Sequence, residues 1–140
     1  MRAWRAMPLG DPHGGDFEYT DEGLPKNITA VRIPTRDLDD SIGFYSDLLG
    51  MEVLTRKDTH AVLRREDAVI LLIVSSSTGI DTGFYIGVDD PYALHRRLID
   101  EGVVFMMDPE MGPIGVYTSF RDTDGNVIRA VDKHAVGSFF

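Results

Sequence analysis

Cysteine is absent from the 140 residues, so the chain has neither a disulfide framework nor thiolate chemistry. A reducing, cytoplasmic location is the expectation that agrees with this. Positive charge is scarce: 14 lysines and arginines stand against 23 aspartates and glutamates, for a net charge of −9. A chain of that sign gains nothing from a phosphate backbone, and nucleic acid is not an expected partner. No apolar run approaches the length of a membrane span, and the first residues lack the apolar core of a secretory signal, so no membrane partner is expected. Only four histidines occur, His13, His60, His95 and His134, none at ligand spacing from another or from a second donor. Glycine-rich phosphate loops and nucleophile elbows are missing as well.

What is present is a pattern that occurs twice. In Thr29 to Val53, Val31 and Ile33 alternate with Ala30 and Arg32, as in a strand with one buried face. Asp37 then caps a helix with Leu38, Ile42, Tyr45 and Leu49 at helical spacing, and Gly50 ends it. Extended runs follow at Met51–Arg56, His60–Arg64 and Val69–Ser75, the last two joined by the turn Arg65-Glu66-Asp67. After the linker at 75–81 the order repeats. Phe84, Ile86 and Val88 alternate with Gly83, Tyr85 and Gly87; Asp90 caps a helix with Pro91 first, Leu94 and Leu98 inward and Gly102 at its end. Three strands are predicted next, at Val103–Met107, Gly115–Arg121 and Asn126–Asp132, with Asp124-Gly125-Asn126 as the tight turn between the last two. The two caps lie 53 residues apart, so the spacing predicts two copies of one βαβββ unit.

The resulting division is an irregular N-terminal arm over 1–27, a first module over 28–78, a second over 79–133 and a tail over 134–140. The arm is dense in proline and glycine, with Trp4, Phe17 and Tyr19 as candidate anchors. The expected fold is α+β: two βαβββ modules forming a curved mixed sheet around a concave cup, helices on the outside. Strand alternation places Ala30 and Arg32, then Gly83, Tyr85 and Gly87, then Val127, Arg129 and Val131 on the cup side. The run Val69–Val74 is apolar on both faces, and its register stays open.

Residues 28 to 132 resemble the vicinal oxygen chelate superfamily, which includes glyoxalase I, extradiol dioxygenases and bleomycin-resistance proteins. The segments RDLDDSIGFYSDLLGMEV, GVDDPYALHRRLIDEGV and FRDTDGNVIRAVD carry the resemblance. It implies paired βαβββ modules, and in metal-binding members a ligand at each of four positions. Those positions fall here on Ala30, on or next to Leu71, on Gly83 and on Arg129. A divalent ion needs several converging oxygen or nitrogen donors, which these residues do not offer, so no metal and no cofactor is expected.

The cup is expected to hold a small molecule instead. Arg32 and Arg129 are the charged candidates, with internal acids or an anionic or electron-rich planar ligand as their partners. Tyr85 and Tyr117 are the aromatic walls, and Leu71 and Ala30 complete the lining. The resemblance points first to a metal-free binding protein that sequesters a small organic molecule in the cup or at a homodimer groove. The alternative is a metal-independent isomerase, cyclase or lyase on the same scaffold, with Arg129 or Arg32 polarising a carbonyl and Tyr85 or His60 moving a proton.

Overall fold

Strand β1 (Val31–Thr35) opens the regular part of the chain in a computed structural model that describes residues 23–134. Trp4, Phe17, Tyr19 and His13, and all of the tail but His134, lie outside the described residues. Helix α1 (Leu38–Gly43) begins as its sequence predicts, with the Asp37 carboxylate accepting from the Asp40 N–H at 3.1 Å. It then widens into a π-helical stretch over Phe44–Leu48, which periodicity did not foretell. A wider turn changes the angle between successive side chains, and the neighbours Phe44 and Tyr45 are both buried there. Gly50 ends the helix at φ +70, a conformation that a side chain would strain.

Strands β2 (Glu52–Arg56), β3 (His60–Arg65) and β4 (Ala68–Val74) complete the first sheet, in the order β1-β4-β3-β2. Its β1–β4 pair is parallel and the others antiparallel, so the sheet is mixed. The second module repeats this plan. Strand β5 (Asp81–Val88) leads to helix α2 (Pro91–Asp100), whose cap Asp90 accepts from the Tyr92 N–H at 2.9 Å. Strands β6 (Glu110–Gly112), β7 (Gly115–Arg121) and β8 (Val127–Asp132) give the order β5-β8-β7-β6, again with the first and last strands parallel. Two βαβββ modules with mixed sheets and helices packed against them are thus present.

One predicted strand is corrected. Val103–Met107 forms a single bridge, Phe105 to Phe120, and the edge strand comes later, at β6. The segment does run beside β7: Met106 N–H donates to Ser119 O and Arg121 N–H to Val104 O. The ladder stops because the Thr118 hydroxyl takes the Met107 carbonyl and Pro109 has no N–H to donate.

Each sheet buries the face that alternation selected. Ile33, Leu63, Ile70 and Leu72 of the first join Phe120, Ile128 and Ala130 of the second, with Leu38, Tyr45 and Leu98 from the helices, in one hydrophobic core. Phe44 of the first module lies 6.3 Å from the Phe120 ring of the second, so the core crosses the seam. Burying each such side chain contributes about 1.5–3 kcal/mol.

Polar groups latch the same seam. The Tyr45 hydroxyl donates to Asp122 Oδ2 at 2.6 Å, and burial followed by the Asp122 charge pushes its pKa up, which keeps it a donor. Asn126, fully buried, donates from Nδ2 to the Pro34 carbonyl at 2.8 Å; its Oδ1 accepts from the N–H groups of Gly79 and Ile80. Arg36 N–H donates to Asp124 Oδ1 at 2.9 Å. Among the described residues no helix is long and apolar enough to cross a membrane.

Candidate functional site

Burying one face of each sheet leaves the opposite face open, and the candidate residues lie on those open faces. On the first sheet the register sets Arg32 beside Leu71 and Leu71 beside Val62, a row across three strands. The next row pairs Ile73 with His60. Val62, Leu71, Ile73 and Val74, with Thr59 and His60, line an open depression of about 470 Å³ whose floor is apolar. This settles the register that the apolar run left open: Ile70 and Leu72 go to the core, Leu71 and Ile73 to the open face. Arg32 is exposed at the side of this floor, and no hydrogen bond or ion pair engages its guanidinium among the described residues. Ala30 lies one residue before β1, exposed.

The second sheet carries the aromatic group. Tyr85 and Tyr117 meet edge to face with ring centres 6.1 Å apart, and Tyr85 is 38% exposed. Arg129, next to Tyr85 in the ladder, sets its guanidinium carbon 6.0 Å from the Tyr85 ring centre. The guanidinium is held on its other side by a residue that sequence reasoning did not single out. Asp81 accepts from both Arg129 terminal nitrogens, at 2.5 and 2.8 Å. That bidentate pair holds the Asp81 carboxyl down to about pKa 2, helped by a backbone hydrogen bond from Gly83, and raises the Arg129 pKa.

The Gly83 bond, 3.0 Å from its N–H to Asp81 Oδ1, belongs to an irregularity in the strand. The β5–β8 register shifts between Asp81 and Tyr85, and Gly83 stands at φ +79. The only sequence signal was an Asp two residues before a Gly at the head of a strand, with an Arg on the strand that pairs with it. The candidates therefore form two groups, Arg32 with Leu71 on one sheet and Tyr85, Tyr117 and Arg129 on the other. Among the described residues, no hydrogen bond, ion pair or ring contact links one group to the other.

The family profile described as Glyoxalase/Bleomycin resistance protein/Dioxygenase superfamily matches residues 27–130. The chain belongs to this superfamily. No curated protein matches it. Among solved members and relatives of the glyoxalase/bleomycin-resistance fold, TnmS3, an antibiotic binding protein from Streptomyces sp. CB03234, is 22% identical, with a TM-score of 0.68 over 78% of this chain and 97% of that one. A bleomycin resistance determinant encoded on transposon Tn5 is 20% identical, with a TM-score of 0.62 over 76% and 98%. Lactoylglutathione lyase from Agrobacterium tumefaciens is 17% identical, with a TM-score of 0.67 over 78% and 95%. At these identities the likeness is one of fold.

At the positions that the resemblance assigns to metal ligands, this chain lacks donors. Ala30, Leu71 and Gly83 carry no side-chain oxygen or nitrogen, and Arg129 is a cation already paired with Asp81. Gly83 also occupies a left-handed backbone conformation that a histidine there would adopt only under strain. No group of three or more His, Asp or Glu side chains converges among the described residues. These residues do not fit a divalent ion.

Proposed function

We propose that this superfamily member is a metal-free binding protein that sequesters a small organic molecule. In this reading the molecule lies between an apolar floor on one sheet and a tyrosine wall on the other, in a cup that a second copy of the chain completes. The observation that carries the reading is the chemistry of the open faces. Where metal-binding relatives need donors this chain has Ala30, Leu71, Gly83 and an occupied Arg129, and around them stand Val62, Ile73, Tyr85 and Tyr117. Apolar and aromatic surface with few directed polar groups suits an aromatic or polyketide ligand. The fold itself is neutral on the point, since the same scaffold is found in an antibiotic binding protein and in a lyase.

A homodimer is part of the same proposal. Tyr85, Val74, Val53 and Leu54 are each more than a third exposed on one chain, which is apolar area that a second copy would cover. The net charge of −9 draws cationic drugs toward the surface.

A thermal-shift screen against glycopeptide and polyketide antibiotics tests the reading, with sedimentation to give the oligomeric state. A ligand present at about 100 times its Kd stabilises the native state by about 2.7 kcal/mol, a rise of several degrees in Tm. A protein that gives no shift across the panel and purifies with one tightly held divalent ion per chain refutes it.

A further inference from the structure

We propose that Asp81 is the specificity-determining residue of the tyrosine wall: as a built-in counter-ion it occupies the Arg129 fork, so this wall accepts uncharged planar groups and turns away anionic ones. The inference rests on the binding reading given above and adds the chemical class of group that this wall takes.

Left alone, an arginine beside two tyrosines in a cup would be a receptor for carboxylate or phosphate, because its planar fork matches two oxygens at once. Here both terminal nitrogens already face carboxylate oxygens, at 2.5 and 2.8 Å. The carboxylate is aimed by the backbone. Gly83, at φ +79, turns its N–H onto Asp81 Oδ1 at 3.0 Å, and the register shift between Asp81 and Tyr85 gives the strand the slack to do so. The guanidinium keeps its other contact, 6.0 Å from the Tyr85 ring centre, and Tyr117 meets Tyr85 edge to face beside it.

The result is an aromatic corner, two tyrosine rings set edge to face, bordered by a neutralised ion pair. An uncharged aromatic ring can lie against the exposed part of Tyr85 without displacing the ion pair. An anionic one must either displace Asp81 or sit beside its charge. The two arginines of the cup are therefore not equivalent: Arg32 has no such partner among the described residues, and Arg129 has Asp81.

The test compares two probes of one shape, anthracenemethanol and anthracenecarboxylate, by fluorescence titration of the full chain. Asp81→Asn removes the charge and keeps an oxygen for the Gly83 N–H, so the strand irregularity is preserved. The wild type is expected to prefer the alcohol. In Asp81→Asn the preference moves toward the carboxylate by about tenfold, the size of one charge-assisted contact. The movement disappears in Asp81→Asn combined with Arg129→Gln, which shows that it acts through the freed guanidinium rather than through net charge. Unchanged preference in Asp81→Asn, with both probes still bound, overturns this inference and leaves the binding reading standing. The same holds if the shift persists without Arg129. If neither probe binds the wild type or either variant, both fall. Circular dichroism melting of each variant separates these outcomes from loss of fold, and Asp81→Ser supplies a second neutral oxygen at the same place.

Discussion

Tyr45 and Asp122 are 77 residues apart in the chain and 2.6 Å apart in space, joined by a buried hydrogen bond. Asp122 also accepts from Asp124 N–H, Asn126 N–H and Asn126 Nδ2, so its carboxylate anchors the whole turn. Removing single atoms here has unequal effects. Tyr45→Phe deletes one donor and leaves Asp122 three, so we expect a loss of about 1–2 kcal/mol in urea unfolding. Asn126→Ala strands the Pro34 carbonyl and the N–H groups of Gly79 and Ile80, and about 3 kcal/mol or more is expected from the same measurement. Asp81 is the contrasting case, an exposed carboxylate with a strong partner. Because pairing lowers its folded pKa, the pair's contribution is complete above the ordinary carboxylate value and disappears as pH falls toward about 2. Carboxyl-carbon NMR should put the Asp81 midpoint near 2, rising toward the ordinary carboxylate range in Arg129→Gln while the Gly83 N–H still holds it below that range. Exposure keeps the effect on global stability small. The sequence shows Asp122 and Asn126 as turn residues and nothing more, since their partners lie on another module. Asp81 was silent for a different reason: its partner is in the same module but on a strand 48 residues away.

Helix starts were the most legible elements, because capping is chemistry between residues two or three apart. Asp37 and Asp90 both accept the expected backbone hydrogen bond. Replacing either with Ala should cost about 1 kcal/mol by thermal or urea unfolding. Ser41 should behave oppositely. It is fully buried in α1, and its hydroxyl has no hydrogen-bond partner among the described residues. Ser41→Ala removes that hydroxyl and improves helix propensity, so stability should hold or rise by about 0.5–1 kcal/mol. Elements defined by long-range geometry were less legible. The π-helical stretch has no sequence period of its own, and its reason is the burial of Phe44 and Tyr45 against a second module. The split edge strand failed for a related reason, since Val103–Met107 is an apolar run that reads locally as a strand, but Pro109 and the Thr118 hydroxyl end its ladder.

At the scale of the molecule, duplication was readable from spacing alone, whereas the joining of the two units was not. Alternation chose the packed face of β1, β5 and β8, with Phe84, Ile86 and Val88 half-buried against the core, although Val131 on the other face of β8 is buried as well. It also set Tyr85 and Arg129 on one face, where they do meet. What it could not supply was the arrangement of one module on the other. The shared core makes a prediction: a chain cut to 28–78 loses Phe120 from beside Phe44, Asp122 from the Tyr45 hydroxyl and Asn126 from the Pro34 carbonyl. Circular dichroism of that fragment should show no cooperative melting, and mixing it with 79–134 should restore one.

The seam itself has a lasting effect on how this protein can change. Three of the four groups that the Asn126 side chain grips are main chain, namely the Pro34 carbonyl and the amides of Gly79 and Ile80, with the Asp122 carboxylate as its remaining anchor. Backbone atoms are the same in every residue but proline's missing hydrogen, so substitutions elsewhere leave that grip untouched. The twin halves are free to specialise separately. One carries an apolar floor with Arg32 at its border and the other an aromatic, charge-balanced wall, so a repeated plan bears two unlike surfaces.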